Sequence, residues 1–269
     1  VRFNSLHEMV SYVESLPYDE TTYDETNAWA GGSHDDAAKL ATWGWPKGAK
    51  LASEKATRIA DRLVTATGSS VYQSIEYDVI GAAYDAGAVA LGIPEAWGVL
   101  APQTAKRAVR IVLNCTVSGG IPASAITARG LAVCALALAL QARGYPVTID
   151  VFQSSGGKGR NGNQIEDDLL RVADATTGSQ LDLDRVVYAL AHPTLFRRLF
   201  RAVTNGVRSN GHSAKTTKWD VSYVADNQQP EDGEKIDLFL GGAHLYHVQR
   251  WQDGGEAWVI QEYLRQTGA

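Results

Sequence analysis

The chain has one methionine and two cysteines among its 269 residues. Cys115 and Cys134 stand far apart with no C-x-x-C pairing. That excludes a disulfide framework and a cysteine metal clip, and points to two reduced, buried thiols in a cytosolic protein. The longest apolar stretch, bracketed by Arg129 and Arg143, falls short of membrane length, and VRFNSLHEMV lacks the apolar core of a secretory leader. A net charge of −5 supplies no global attraction to nucleic acid. There is no G-x-S-x-G elbow, and neither cysteine lies in a nucleophile motif. The turn SSGGKGRNGNQ invites a phosphate-loop reading but fails it. Lys158 is followed by Gly159 rather than Ser or Thr, and a strand rather than a helix comes next, so it reads as a hairpin turn. These absences argue against an enzyme. No internal repeat is visible.

What is present is seven tryptophans and 45% hydrophobic residues, enough for a real core. The front of the chain reads as helical and irregular. Ser5 caps a helix over 5–17, with Glu8 placed for a capping box. Ser33-His34-Asp35-Asp36 opens a second helix that ends near Thr42, before Gly44 and Pro46. A third covers Leu51–Thr65, with Ile59, Leu63 and Val64 on one face. Trp29, Trp43, Trp45 and Trp97 serve as anchors. The stretch Tyr72–Tyr84 gives mixed signals.

From about residue 105 strands and helices alternate. Arg107–Leu113 is an apolar strand ending in Asn114-Cys115-Thr116-Val117-Ser118-Gly119-Gly120. Pro122 opens helix Ala123–Arg143, Gly144 closes it, and strand Val147–Phe152 forms a hairpin with Asp168–Asp174. Helix Asp184–Thr204 must kink or split at Pro193. Strands Asp220–Ala225 and Lys235–Leu240 and a last helix, Ala257–Gln266, follow. The expected fold is α/β: an open, mostly parallel Rossmann-like sheet over residues 105–269, preceded by a mainly helical region, 1–104, packed on it. Ligands of such sheets bind beyond the carboxyl ends of the strands.

The hydroxyl-bearing loop after the first strand, the long helix and the returning hairpin resemble a von Willebrand factor A-type domain. In that family the strand ends in Asp-x-Ser-x-Ser, which holds a divalent cation. Here the pattern is Asn114-x-Thr116-x-Ser118, and Thr177 and Asp226 stand where later ligands would come. The resemblance thus implies a degenerate Mg²⁺ site. Asn for Asp removes a charge that helps repay dehydration of the ion. The other reading is that Asn114, Thr116 and Ser118 cap the sheet edge and the next helix by hydrogen bonds. Stretches such as WAGGSHDDAAKLATWGWPKG, LGIPEAWG, YALAHPTLFRRLFR and AWVIQEYLRQTG are similar to a group of uncharacterised bacteriophage proteins. That similarity implies a phage or prophage origin, in host cytoplasm or virion. Together the two resemblances imply a protein-interaction or assembly module.

Two further sets compete. Residues 185–218 carry Arg185, Arg197, Arg198, Arg201, Arg208, Lys215 and Lys218 with no acid. Arg197, Arg198, Arg201, Lys215 and Lys218 could track a phosphate backbone, with Trp219 as a stacking face. The acidic stretch after them also allows internal pairing. His244 and His247, near Asp253 and Glu256, have a poor spacing for zinc. His34 reads as part of a helix start and His192 as a structural residue at a kink. A structural virion component, with a homo-oligomer as its mark, is the third functional reading. No membrane partner is expected.

Overall fold

A computed structural model describes residues 1–16, 27–67, 75–78, 83–84, 89–91, 93, 97–100, 106–116, 120–155, 166–174, 181–203, 233–241, 244 and 255–268. The expected strand Asp220–Ala225 and the Gly-rich turn after Ser155 lie outside them.

The strands are β1 (Arg2–Phe3), β2 (Ile75–Asp78), β3 (Ala83–Tyr84), β4 (Trp97–Leu100), β5 (Val109–Asn114), β6 (Val147–Ser155), β7 (Glu166–Ala173) and β8 (Leu238–Leu240). The helices are α1 (Leu6–Ser15), α2 (Asn27–Ala30), α3 (His34–Trp43), α4 (Pro46–Thr67), α5 (Ala123–Ala142), α6 (Leu183–Ala191) and α7 (Glu256–Thr267), with a π-helical turn at Leu195–Phe200. Five strands form the main sheet in the order β1-β7-β6-β5-β8. β5 runs parallel to β6 and β8, β7 returns antiparallel to β6, and β1 runs parallel to β7. The mixed α/β sheet is therefore mostly parallel. A separate antiparallel sheet, β2-β4-β3, places β2 and β3 in the stretch Tyr72–Tyr84, whose sequence signals were mixed, and β4 beyond it, in a region read as helical and irregular.

β5 is buried along its whole length. Val109, Ile111 and Leu113 enter the main core with the apolar faces of α1, α3, α4, α5, α6 and α7. Val112 points the other way, into a small cluster with Phe152, Leu169 and Phe239. This double burial explains a near-continuous apolar run instead of alternation. The main core crosses residue 104: Phe3, Met9, Ile59 and Leu63 share it with the strands, and Arg2–Phe3 is itself a strand of the main sheet.

The second face also carries charge. Asp150 is wholly buried, and Arg110 is 5% exposed. Arg110 Nε donates to Asp150 Oδ2 at 2.8 Å, and Arg171 Nε donates to Asp150 Oδ1 at 2.9 Å. One carboxylate on β6 thus joins the guanidiniums of both flanking strands.

Local signals hold with small shifts. Ser33 and Asp36 form a full capping box on α3. At α1, Ser5 Oγ accepts from the Glu8 N–H, but Glu8 reaches back to the Asn4 N–H at 2.8 Å rather than to Ser5. Pro122 is the N-cap of α5, not its first residue. The single helix expected over Asp184–Thr204 is split at His192-Pro193 into α6 and the π turn, because Pro193 has no N–H to continue the ladder. The expectation that no apolar stretch reaches membrane length is corrected: α5, which runs through Arg129, is long and apolar enough to cross a membrane, and most of it is buried inside the fold. Its apolar circumference follows from α4, α6 and α7 packing around it.

Gly130 lets α5 cross α6. A Cβ there would lie 2.0 Å from the Leu190 carbonyl oxygen and 2.3 Å from Ala191 Cα. Both obstacles are backbone, so neither can swing away. Gly130→Ala is expected to cost about 2–3 kcal/mol or more, read as a lower urea midpoint; an unchanged midpoint would contradict this crossing.

Candidate functional site

From β5 the chain moves to β6 and β7 on one side, while β8 adds on the other. The order reverses at β5, so the crevice at the carboxyl ends of β5 and β8 is where an open α/β sheet offers a site. Asn114 is the last residue of β5. Its Oδ1 accepts the Thr116 N–H at 2.8 Å, the short-range turn that Asn side chains favour. The Cys115 N–H donates to the Phe152 carbonyl at 2.7 Å. Asn114, Cys115 and Thr116 are all buried. Burial pushes the Cys115 thiol far up, against a smaller downward pull from Arg129, which disfavours the thiolate. Cys134 is likewise buried and raised to about 12 by desolvation; both cysteines are free.

Arg129, missed by the sequence reading, is wholly buried on α5. Its Nη1 donates to the Gly241 carbonyl at 3.2 Å, joining the helix to the end of β8. An arginine inside an otherwise apolar helix was the available signal.

Of the five residues in the degenerate metal pattern, the fold brings Asn114 and Thr116 together. Ser118, Thr177 and Asp226 lie outside the described residues. The Asn114 oxygen is engaged by backbone, in keeping with the hydrogen-bonding reading of this loop. Among the described residues no three His, Cys, Asp or Glu groups converge. His244 packs edge-on against Trp258, 4.8 Å between centroids. Glu256, expected near it, instead accepts from Lys55 Nζ at 3.1 Å and Arg58 Nη2 at 2.6 Å. His247 and Asp253 are outside the described residues.

The basic set divides. Arg197 is 4% and Arg198 is 7% exposed, so the expectation that both face solvent is corrected. Arg197 donates to the Trp29 and Ile121 carbonyls and stacks on the Trp29 ring, 4.2 Å from its centroid. Arg198 Nε donates to the Gly32 carbonyl at 3.0 Å. These carbonyl contacts hold the loop before α3 against the π turn. Arg201 is partly exposed; Lys215 and Lys218 are outside the described residues.

The same junction orders His192. Its Nδ1 lies 2.8 Å from Thr194 Oγ1, and Thr194 Oγ1 donates to the Tyr188 hydroxyl at 3.3 Å. Tyr188 in turn donates to the Ala37 carbonyl at 3.0 Å. Trp45 meets the imidazole edge-on at 4.9 Å. Gly31, at φ +83°, passes so close to Pro193 that a Cβ would sit 2.5 Å from its Cγ. These residues form a structural joint, as expected of His192.

Asn114→Ala leaves the buried Thr116 N–H without its acceptor, at an expected cost of about 1–3 kcal/mol in denaturant unfolding; no loss would show that the turn does not depend on this side chain. Burial lowers the His192 pKa from 6.5 to about 4, opposed by Asp36. The unfolded chain therefore takes up the proton first, and the His192 contribution, complete above about pH 6.5, is lost as pH falls toward 4. His192→Gln should flatten the thermal midpoint over that window relative to wild type; parallel profiles would contradict the assignment.

No curated protein and no solved structure matches the chain. One family does, over residues 1–268. The chain belongs to this family, the domain of unknown function DUF7192.

Proposed function

We propose that the chain is a protein-interaction or assembly module of phage origin, built on a von Willebrand A-like sheet and contacting its partner through the loops beyond β5 and β8. The observation that carries this reading is the reversal of strand order at β5, with an antiparallel hairpin on one side and a parallel strand on the other. Loops at such a reversal are held by the sheet while their tips stay accessible. Gly120, at the end of the β5 loop, is exposed. The buried turn at Asn114 and the Arg129–Gly241 bond make the base of this surface rigid, which lowers the ordering cost of association. The reading does not require Mg²⁺, since the Asn114 oxygen already has a structural use in accepting the Thr116 N–H.

A photo-crosslinking residue at position 120 is expected to trap a discrete protein partner in phage-infected lysate, whereas the same residue at exposed position 61 on α4 traps none. Equal labelling from both positions, or none from either, would overturn the proposal.

A further inference from the structure

Near the amino-terminal ends of β5 and β6, away from the mouth, three guanidiniums from three strands meet one carboxylate of the segment leading into β8. Arg171 Nη2 donates to Glu234 Oε2 at 2.7 Å, Arg2 Nη2 donates to Glu234 Oε1 at 3.2 Å, and Arg110 Nε lies 3.5 Å from Glu234 Oε2. The arginines are held from behind: Asp150 bonds both Arg110 and Arg171, and Asp174 lies 3.8 Å from Arg171. The Arg110 and Arg171 side chains are only 7% and 15% exposed, while Glu234 is 42% exposed. Arg110 and Arg171 are therefore built into the sheet, while Arg2, 43% exposed, closes the cradle at the surface beside its occupant. Arg107 and Lys235, 58% and 75% exposed, add positive charge at the rim, both shared with Asp237.

We propose that Arg2, Arg110 and Arg171 form an oxyanion-binding cradle that Glu234 occupies as a tethered internal ligand, and that an external carboxylate or phosphate group takes its place when the half-exposed Glu234 side chain swings out, Asp237 staying bonded to Arg110. Planar guanidiniums recognise both groups through charge-assisted hydrogen bonds, and the basic rim steers an anion toward them. The Arg171 guanidinium, through its hydrogen bond, keeps the Glu234 carboxyl below the usual carboxylate range, so at neutral pH the occupant is an anion. Asp150 lies behind the arginines and stays with them when Glu234 leaves. Glu234 thus acts as an autoinhibitory contact. The cradle lies apart from the β5 mouth, so its failure leaves the interaction-module reading standing.

The test is chemical rescue of the full chain. Removing the Glu234 carboxylate in Glu234→Ala should make the thermal midpoint respond to added anion: 20 mM inorganic phosphate or acetate is expected to raise it by about 3 °C or more over chloride at equal ionic strength. Wild type, with the site filled, should respond by less than about 1 °C. Adding Arg171→Ala to Glu234→Ala should abolish the response. A response to acetate as large as that to phosphate identifies a carboxylate ligand, and a response to phosphate alone identifies a phosphate. If Glu234→Ala does not fold in chloride, recovery of folded protein in phosphate or acetate is the same rescue and supports the proposal. No anion-specific response and no recovery in Glu234→Ala overturns it, as does a response that survives Arg171→Ala.

Discussion

Burying Arg110 within the main sheet depends first on Asp150, buried beside it on the next strand. A lone charge at that depth would cost several kcal/mol. Asp150 receives hydrogen bonds from both flanking arginines, so β5, β6 and β7 are registered by ionic contacts as well as by their backbone ladder. Register matters unusually here because β5 is buried on both faces. A slip of one residue would exchange Arg110 and Val112 for Ile111 and Leu113, driving a charge into the helical core. Such charged groups add specificity even where they add little net stability.

The helical layer answers a different constraint. Six helices contribute to one apolar cluster with the sheet, and α5 lies among them with no polar stripe. Close crossing at Gly130 brings α6 against it, and the break at Pro193 redirects the chain so that Arg197 and Arg198 turn inward. There they hold the loop before α3 by its carbonyls. At the far edge of the sheet, Gln266 of α7 accepts the Phe239 N–H and donates to the Phe239 carbonyl, 2.8 and 2.9 Å. A side-chain amide thus takes the hydrogen-bonding place of a further strand and blunts an edge that would otherwise pair with another chain.

Periodicity and punctuation made much of this legible. The apolar run of β5, the length of α5 and its stop at Gly144, the returning hairpin, the cap at Ser33 and the break at Pro193 are local effects of side-chain spacing, φ restriction and missing N–H groups. The sheet β2-β4-β3 was not legible, since its short strands lie among small residues without clean alternation. β1 was invisible as well: two residues carry no period, and only pairing with β7 makes them a strand. At the β5 mouth, the Asn-x-Thr-x-Ser spacing marked the place but not the use of the atoms. Whether the Asn114 oxygen faces a cation or a backbone N–H depends on how the next two residues turn.

By itself, then, the sequence determined the α/β class, the order of its principal elements and where they stop, because those follow from interactions within a few residues. Tertiary structure decided which charges are sheltered. Arg197 and Arg198 look like a surface patch in one dimension and are interior clamps in three. Arg2, Arg110, Arg171 and Glu234 are scattered along the chain and form one cluster only where the strands align. The physical reason is that the cost of a charge is set by depth and by partners brought from distant segments, and neither is a property of local spacing.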